Sequence, residues 1–253
     1  MPDWRVLSRT MHAEQGYRPR DGYHNAAGRM VAPVVLDELH RLLPHYVIGL
    51  LPQGDDLVPV ALLGVNSEEN LYLREDGGWQ VSYVPATLRG HPFALADGQS
   101  GNKALAIDAA YLTEAGQPLF TNGELDETAA QAMRFLQQYD QSRRATLAAS
   151  QALQQAGVLS EWPLAVPLGE GHRRINGLYR VDEAALNELS AEAYAALRGE
   201  PMKLAYAQLY AISQVEQLSL LALRQGSVNA AGEASTIDAM FGEDDDELNF
   251  DFD

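Results

Sequence analysis

Residues 45–65 read HYVIGLLPQGDDLVPVALLGV, and their two apolar halves decide the class of fold. YVIGLLP and LVPVALLGV are short runs rich in valine, isoleucine and leucine, parted by the turn formers Gly54-Asp55-Asp56. Runs this short, bounded by turn residues, predict strands rather than helices. The pattern continues downstream. Asn66-Ser67 marks another turn, NLYL another short strand, and WQVSYVP follows the tight-turn sequence Asp76-Gly77-Gly78. The segments 70–75 and 79–85 are therefore expected to pair as a hairpin. KALAIDAAYL, residues 103–112, completes the set. The expected core is an antiparallel sheet drawn mostly from residues 45–112.

Outward from this sheet the periodicity changes. Residues 1–30 are polar, carry Gly16, Pro19, Gly22 and Gly28, and read as an irregular lead-in. Val34, Leu36, Leu39, Leu42 and Leu43 are helically spaced and stop at Pro44. From Asp126, an N-cap residue, Met133, Leu136, Tyr139, Arg143, Leu147 and Leu153 recur at helical spacing as far as Gly157. This predicts one long helix or two consecutive ones. WPLAVPL and RINGLYRVD predict strands around Gly169-Glu170-Gly171, VDEAALNELSAEAYAAL a helix capped by Asp182, and PMKLAYAQLYAISQVEQLSLLALRQ a last helix with Pro201 near its first turn. The resulting reading is α+β: an antiparallel sheet with several helices over residues 31–225, then a Gly/Ala/Ser linker and a disordered acidic tail over 226–253.

Charge and composition narrow the function classes. The chain has 253 residues, 18 of them basic and 35 acidic, for a net charge of −17. Removing the seven acids of the last thirteen residues still leaves about −10, so the body is acidic by itself. That balance disfavours binding along nucleic-acid phosphates or an anionic membrane, which need clustered Lys and Arg. The absence of cysteine excludes disulfides, thiolate metal sites and cysteine nucleophiles. His12, His24, His40, His45, His91 and His172 form no HxH, HxxxH or HExxH pattern, so neither a metal nor another cofactor is expected. The N-terminus has no apolar core of signal-peptide length, and no apolar run approaches the roughly 18 residues of a membrane helix. A cytoplasmic protein without a membrane segment is expected.

The segments YVIGLLP, VPVALLGVNSEENLYL, GWQVSYVPATLRGHPF, LAIDAAYLTEAGQPLF and INGLYRVDEAALNEL follow one another in this order. Together they resemble the SapC-like family of bacterial proteins, and the resemblance stops short of the acidic tail. Its most specific part is Trp79, Tyr83, Pro85, Leu88, Arg89, Pro92 and Phe93 at their spacing. Gly90 stands where that family usually carries a second arginine, and His45-Tyr46-Val47 where it has Tyr-Pro-Ile. The resemblance implies an association with surface-layer proteins and their secretion, and supplies no catalytic residues.

The candidate sites are correspondingly those of a binding protein. Trp79, Tyr83, Arg89 and Phe93 have the chemistry to grip an extended peptide, Arg89 reading a carboxylate. Trp79, Val81 and Tyr83 also alternate on one strand face, which is the pattern of core. His172, Arg173 and Arg174 make the most basic spot of the chain and suit an acidic partner, the protein's own tail included. The tail, FGEDDDELNFDFD, is either a solubilising end or a docking peptide in which Phe241, Phe250 and Phe252 enter a pocket while Asp244, Asp245 and Asp246 meet basic residues. Acidic tails with terminal aromatics also occur on single-stranded DNA-binding proteins, where they recruit partners and compete with DNA. A nucleic-acid-associated protein is thus one alternative. An enzyme whose site gathers Asp108, Arg89 and His91 is another, although no G-x-S-x-G or comparable arrangement supports it.

Overall fold

The computed structural model describes residues 2–66, 69–97 and 102–226, together with the backbone of Ser235–Thr236. They form antiparallel sheets with several helices, the α+β class, arranged as two compact units. One unit is built from residues 2–22 and 88–141, the other from 23–87 and 142–226.

The larger unit is organised by the stretch quoted first. Ile48–Gln53 pairs with Asp56–Leu62 from Ile48↔Ala61 to Gln53↔Asp56, leaving Gly54-Asp55 as a two-residue turn. Gly54 lies at φ 57°, which glycine adopts without a Cβ penalty. The five-stranded sheet runs Leu159–Glu161, Tyr179–Val181, Ile48–Gln53, Asp56–Leu62, Val31–Pro33, every neighbour antiparallel. Ile48, Leu50, Leu51, Val60, Ala61 and Leu62 are all buried. Successive buried residues on a strand mean that both faces are covered, and this is why the runs are continuous rather than alternating.

One joint of this sheet is weak in backbone terms. Tyr179–Val181 meets Ile48–Gln53 through the single register pair Tyr179↔Leu50. The fully buried Gln208, on the helix Glu200–Ala211, spans the joint. Its Nε2 donates to the Ile48 carbonyl at 3.2 Å and its Oε1 accepts from the Val181 N–H at 2.9 Å. A side-chain amide thus replaces a ladder rung and satisfies two groups that burial would otherwise leave unpaired. The C-terminal half of the helix Glu127–Gln155 anchors the same unit, with Thr146 Oγ1 accepting from Leu36 N–H at 2.9 Å and Ser150 Oγ donating to the Leu57 carbonyl.

A ribbon in the same unit pairs Leu164–Leu168 with Gly171–Asn176. Leu164, Val166, Leu168 and Ile175 are buried, while Ala165, Pro167, His172 and Arg174 are exposed, the period-two pattern of a half-covered ribbon. The helix Val215–Arg224 packs against Leu164–Leu168, with Ser219 Oγ donating to the Pro167 carbonyl. On the other side of Gly171–Asn176, Ser235–Thr236 pairs in parallel with Ile175 and Asn176.

In the smaller unit Lys103–Asp108 is flanked by Trp4–Val6 and Phe93–Asp97, both antiparallel. Gly16–Tyr17 lies between Leu112–Thr113 and Gln117–Pro118. The core contains Tyr17, Phe93, Leu105, Ile107, Leu119, Phe120, Ala129 and Leu136, the last two from the first half of Glu127–Gln155. Gly90 is packed here: a Cβ on it would lie 2.8 Å from Leu136 Cδ2.

Several expectations change in detail. The segment 1–30 is not wholly irregular, because Trp4–Val6 and Gly16–Tyr17 are strands too short to show a period. The hairpin expected over 70–85 is reduced to one bridge, Leu73↔Trp79, although its turn forms, with Arg74 N–H on the Gly78 carbonyl at 2.9 Å. The helix expected within 33–44 is a 3-10 turn Leu36–Glu38 running into Leu39–Leu42. The segment after Asp182 is two helices, Glu183–Asn187 and Ala191–Ala196, since Ser190 caps the second by accepting from Ala193 N–H at 3.1 Å.

The Gln208 bridge can be tested by Gln208→Leu, which keeps volume but strands a buried N–H and a buried carbonyl. Urea denaturation is expected to show a loss of about 2–4 kcal/mol. A change below about 0.5 kcal/mol, the range of ordinary surface substitutions, would mean the joint does not need the amide.

Candidate functional site

The aromatic segment that stands out in the sequence is divided between the two units. Trp79 and Tyr83 lie in the larger, Arg89 and Phe93 in the smaller. Trp79 and Tyr83 are 8% and 9% exposed. Trp79 Nε1 donates to the Tyr46 hydroxyl at 2.6 Å, and that hydroxyl donates to the Tyr83 carbonyl. The Tyr46 and Tyr72 rings stack at 4.6 Å between centroids, and Tyr23 meets Trp79 edge-on at 5.4 Å. Glu38 gathers the other end. Its buried carboxylate accepts from Tyr83 hydroxyl at 3.0 Å, Ala86 N–H at 2.7 Å and Val35 N–H at 3.1 Å. Side chains thus satisfy the Tyr83 carbonyl and the Ala86 N–H, while Gln80 N–H still donates to the Tyr72 carbonyl of the facing segment at 2.7 Å.

Phe93 belongs to the core of the smaller unit, edge-on to Tyr17 at 5.0 Å. Arg89, half-buried at the end of the helix Ala86–Arg89, lies 5.0 Å above the Phe135 ring. The structure brings His91 and Asp108 together, Nε2 to Oδ2 at 3.5 Å with both side chains buried, while Asp108 Oδ1 accepts from Ala110 N–H. His91 also packs edge-on against Tyr111 at 4.8 Å. Tyr111 also lines a cleft of about 420 Å³ together with Arg18 and Thr113, and the Arg18 guanidinium lies 5.9 Å above its ring. His91 and Asp108 do not line that cleft.

The basic cluster is the best exposed of the sequence-derived candidates. His172 and Arg174 project from the exposed face of the strand Gly171–Asn176, opposite Pro167 and Ala165, while Arg173, on the Ile175 face, is half-buried. Sequence reasoning did not single out a second exposed feature. Tyr194, Tyr206 and Tyr210 are 40%, 40% and 68% exposed. Tyr194 and Tyr206 share a hydroxyl hydrogen bond at 2.9 Å, and the Tyr206 and Tyr210 rings stack at 6.4 Å. The signal is present in LAYAQLYA, since Tyr206 and Tyr210 are four apart and miss the buried positions Leu204, Ala205, Gln208 and Ala211.

Among the described residues no group of three or more His, Cys, Asp or Glu is placed to hold a metal ion, and no helix is long and apolar enough to cross a membrane. The tail candidates Phe241, Asp244, Asp245, Asp246, Phe250 and Phe252 lie outside the described residues. A family model described as SapC matches residues 7–218. No curated protein and no solved structure matches the chain.

Burial of the aromatic stack has a consequence in alkali. Desolvation holds the phenols of Tyr46 and Tyr72 well above the usual value near 10. A raised phenol resists ionisation only while folded, so its contribution is whole below about pH 10 and is lost as pH rises beyond it. In a titration of phenolate absorbance, Tyr46 and Tyr72 are expected to stay silent until the alkaline unfolding transition, and Tyr46→Phe with Tyr72→Phe should remove that silent fraction. Complete ionisation of all 11 tyrosines in a still-folded protein would contradict the dry stack.

Proposed function

The chain belongs to the SapC family, and from that membership together with the exposed basic strand we propose a non-catalytic accessory protein that holds an acidic, extended segment of a protein partner. Handling or export of surface proteins is the role this reading favours. The observation that carries it is the strand Gly171–Asn176. It presents His172 and Arg174 from an exposed face in a chain of net charge −17, and its outer edge accepts another backbone, as Ser235–Thr236 does at Ile175 and Asn176. Strand addition supplies backbone hydrogen bonds without regard to sequence, and the basic side chains select acids. Arg174 adds charge-assisted, bidentate contacts to a carboxylate. Trp79, Tyr83 and Phe93 are buried and Arg89 lies over Phe135, so the reading rests on the strand and not on them.

The test is binding of a labelled ten-residue oligoglutamate at low salt to the unaltered chain and to the double variant His172→Glu, Arg174→Glu. A weakening of about tenfold is expected, since an exposed charge contact is worth up to about 1 kcal/mol and the double reversal also adds repulsion. Equal affinity in both proteins would remove the strand from consideration. Equal, salt-sensitive affinity for single-stranded DNA would make the surface a general polyanion site, against an acidic-protein partner.

A further inference from the structure

The cleft of about 420 Å³ beside Tyr111 lies wholly within the smaller unit. Its volume falls in the range of small-molecule sites, about 300–1,000 Å³. Arg18, Pro19, Tyr111, Leu112, Thr113 and Gly116 line it, and no acidic side chain does. Backbone pairing sets its walls. Gly16–Tyr17 meets Leu112–Thr113 through Gly16↔Thr113 and Tyr17↔Leu112, and Arg18 N–H continues to the Tyr111 carbonyl at 2.9 Å. Gly116 allows the next turn to close, since a Cβ there would run into the Tyr17 carbonyl oxygen. The Tyr111 ring is held by His91, edge-on at 4.8 Å.

The Arg18 guanidinium, 5.9 Å above the Tyr111 ring, is within cation–π reach of it. Its side chain makes one hydrogen bond, from Nη2 to the Ala110 carbonyl at 3.5 Å. Among the described residues it has no carboxylate partner, in a chain with 35 acidic residues. Most of its five N–H donors are therefore uncommitted. Thr113 Oγ1 accepts from Ala115 N–H at 3.3 Å and donates to none of the described residues. A planar guanidinium fork matches a carboxylate through two parallel hydrogen bonds. Pro19, Leu112 and the Tyr111 ring supply apolar surface beside it, which rewards an organic body and not a hydrated inorganic ion. We propose that this cleft binds a small organic carboxylate, its charged end on Arg18 and Thr113 and its apolar body against Tyr111 and Leu112. Two sources carry that chemistry: a free monocarboxylic acid, and the C-terminal residue of a protein chain that ends in an apolar side chain. The cleft belongs to the smaller unit and the strand Gly171–Asn176 to the larger, so the two sites stand or fall separately.

The experiment follows backbone amide shifts of the full chain during titration with four probes. These are 3-phenylpropionate, its neutral amide, inorganic phosphate, and the peptide acetyl-Gly-Ser-Phe with a free C-terminus. Saturable shifts at residues 16–18 and 110–116 are expected with 3-phenylpropionate, at a dissociation constant of order 1 mM. The amide is expected to bind about tenfold more weakly, because it brings no charge to the guanidinium. Arg18→Met keeps the apolar stem and should weaken 3-phenylpropionate about tenfold. Arg18→Lys keeps the charge without the fork and should weaken it about threefold. Tighter binding of the peptide than of 3-phenylpropionate would make a protein C-terminus the source, and the reverse order a free acid. Equal affinity for the acid and its amide, or for the acid and phosphate, would overturn the proposal on the unaltered chain alone. Unchanged affinity in Arg18→Met, or no shift at 110–116, would overturn it as well.

Discussion

Much of the larger unit depends on one buried carboxylate. Glu38 is 4% exposed, yet it accepts hydrogen bonds from Val35 N–H, Tyr83 hydroxyl and Ala86 N–H. A carboxylate in such a place is tolerable only because its acceptor capacity is filled, and each donor it serves would be costly to bury alone. One donor is local to Glu38 and the other two lie 45 and 48 positions away, so the group fixes where residues 83–86 run. The hydroxyl of Tyr46 then fixes Trp79 and the Tyr83 carbonyl together. Side chains carry the backbone bookkeeping that a strand ladder would otherwise perform.

Gln208 repeats the device at the joint between Ile48–Gln53 and Tyr179–Val181. Both cases place a hydrogen-bonded polar side chain in a dry interior, Glu38 as acceptor alone and Gln208 as donor and acceptor, and both tie together elements that share few backbone rungs. Low local dielectric strengthens such bonds and makes their removal expensive. The surface is governed by a different balance. The body is acidic, and the strand Gly171–Asn176 presents His172 and Arg174 from an exposed face.

Residues 45–65 announced the central hairpin because two apolar β-branched runs about a Gly-Asp turn have few other solutions, and register follows from the turn. Asp182 and Pro201 marked helix starts for equally local reasons, as capping and ring geometry act within one turn. Trp79 and Tyr83 were legible as a special pair, though their spacing did not tell core from binding surface. Period-two alternation requires only that one face be buried, and it is silent on whether a strand, a side chain or a ligand meets the backbone. The exposed tyrosines were overlooked because a broad apolar face hides residues at its margin.

Local chemistry by itself determined the α+β class, the main hairpin, helix after Asp126, the acidity of the body and the basic spot at 172–174, since each depends on neighbours within a few residues or on composition. Tertiary structure alone decided that Glu38 and Gln208 replace ladder hydrogen bonds, that His91 meets Asp108, that Trp79 and Tyr83 sit apart from Arg89 and Phe93 in separate units, and that residues 2–6 and 16–17 become strands. These outcomes hang on partners well beyond a few residues, as far as Gln208 to Ile48 at a separation of 160. Hydrogen-bond satisfaction is enforced on the folded whole, so no window of sequence contains the answer.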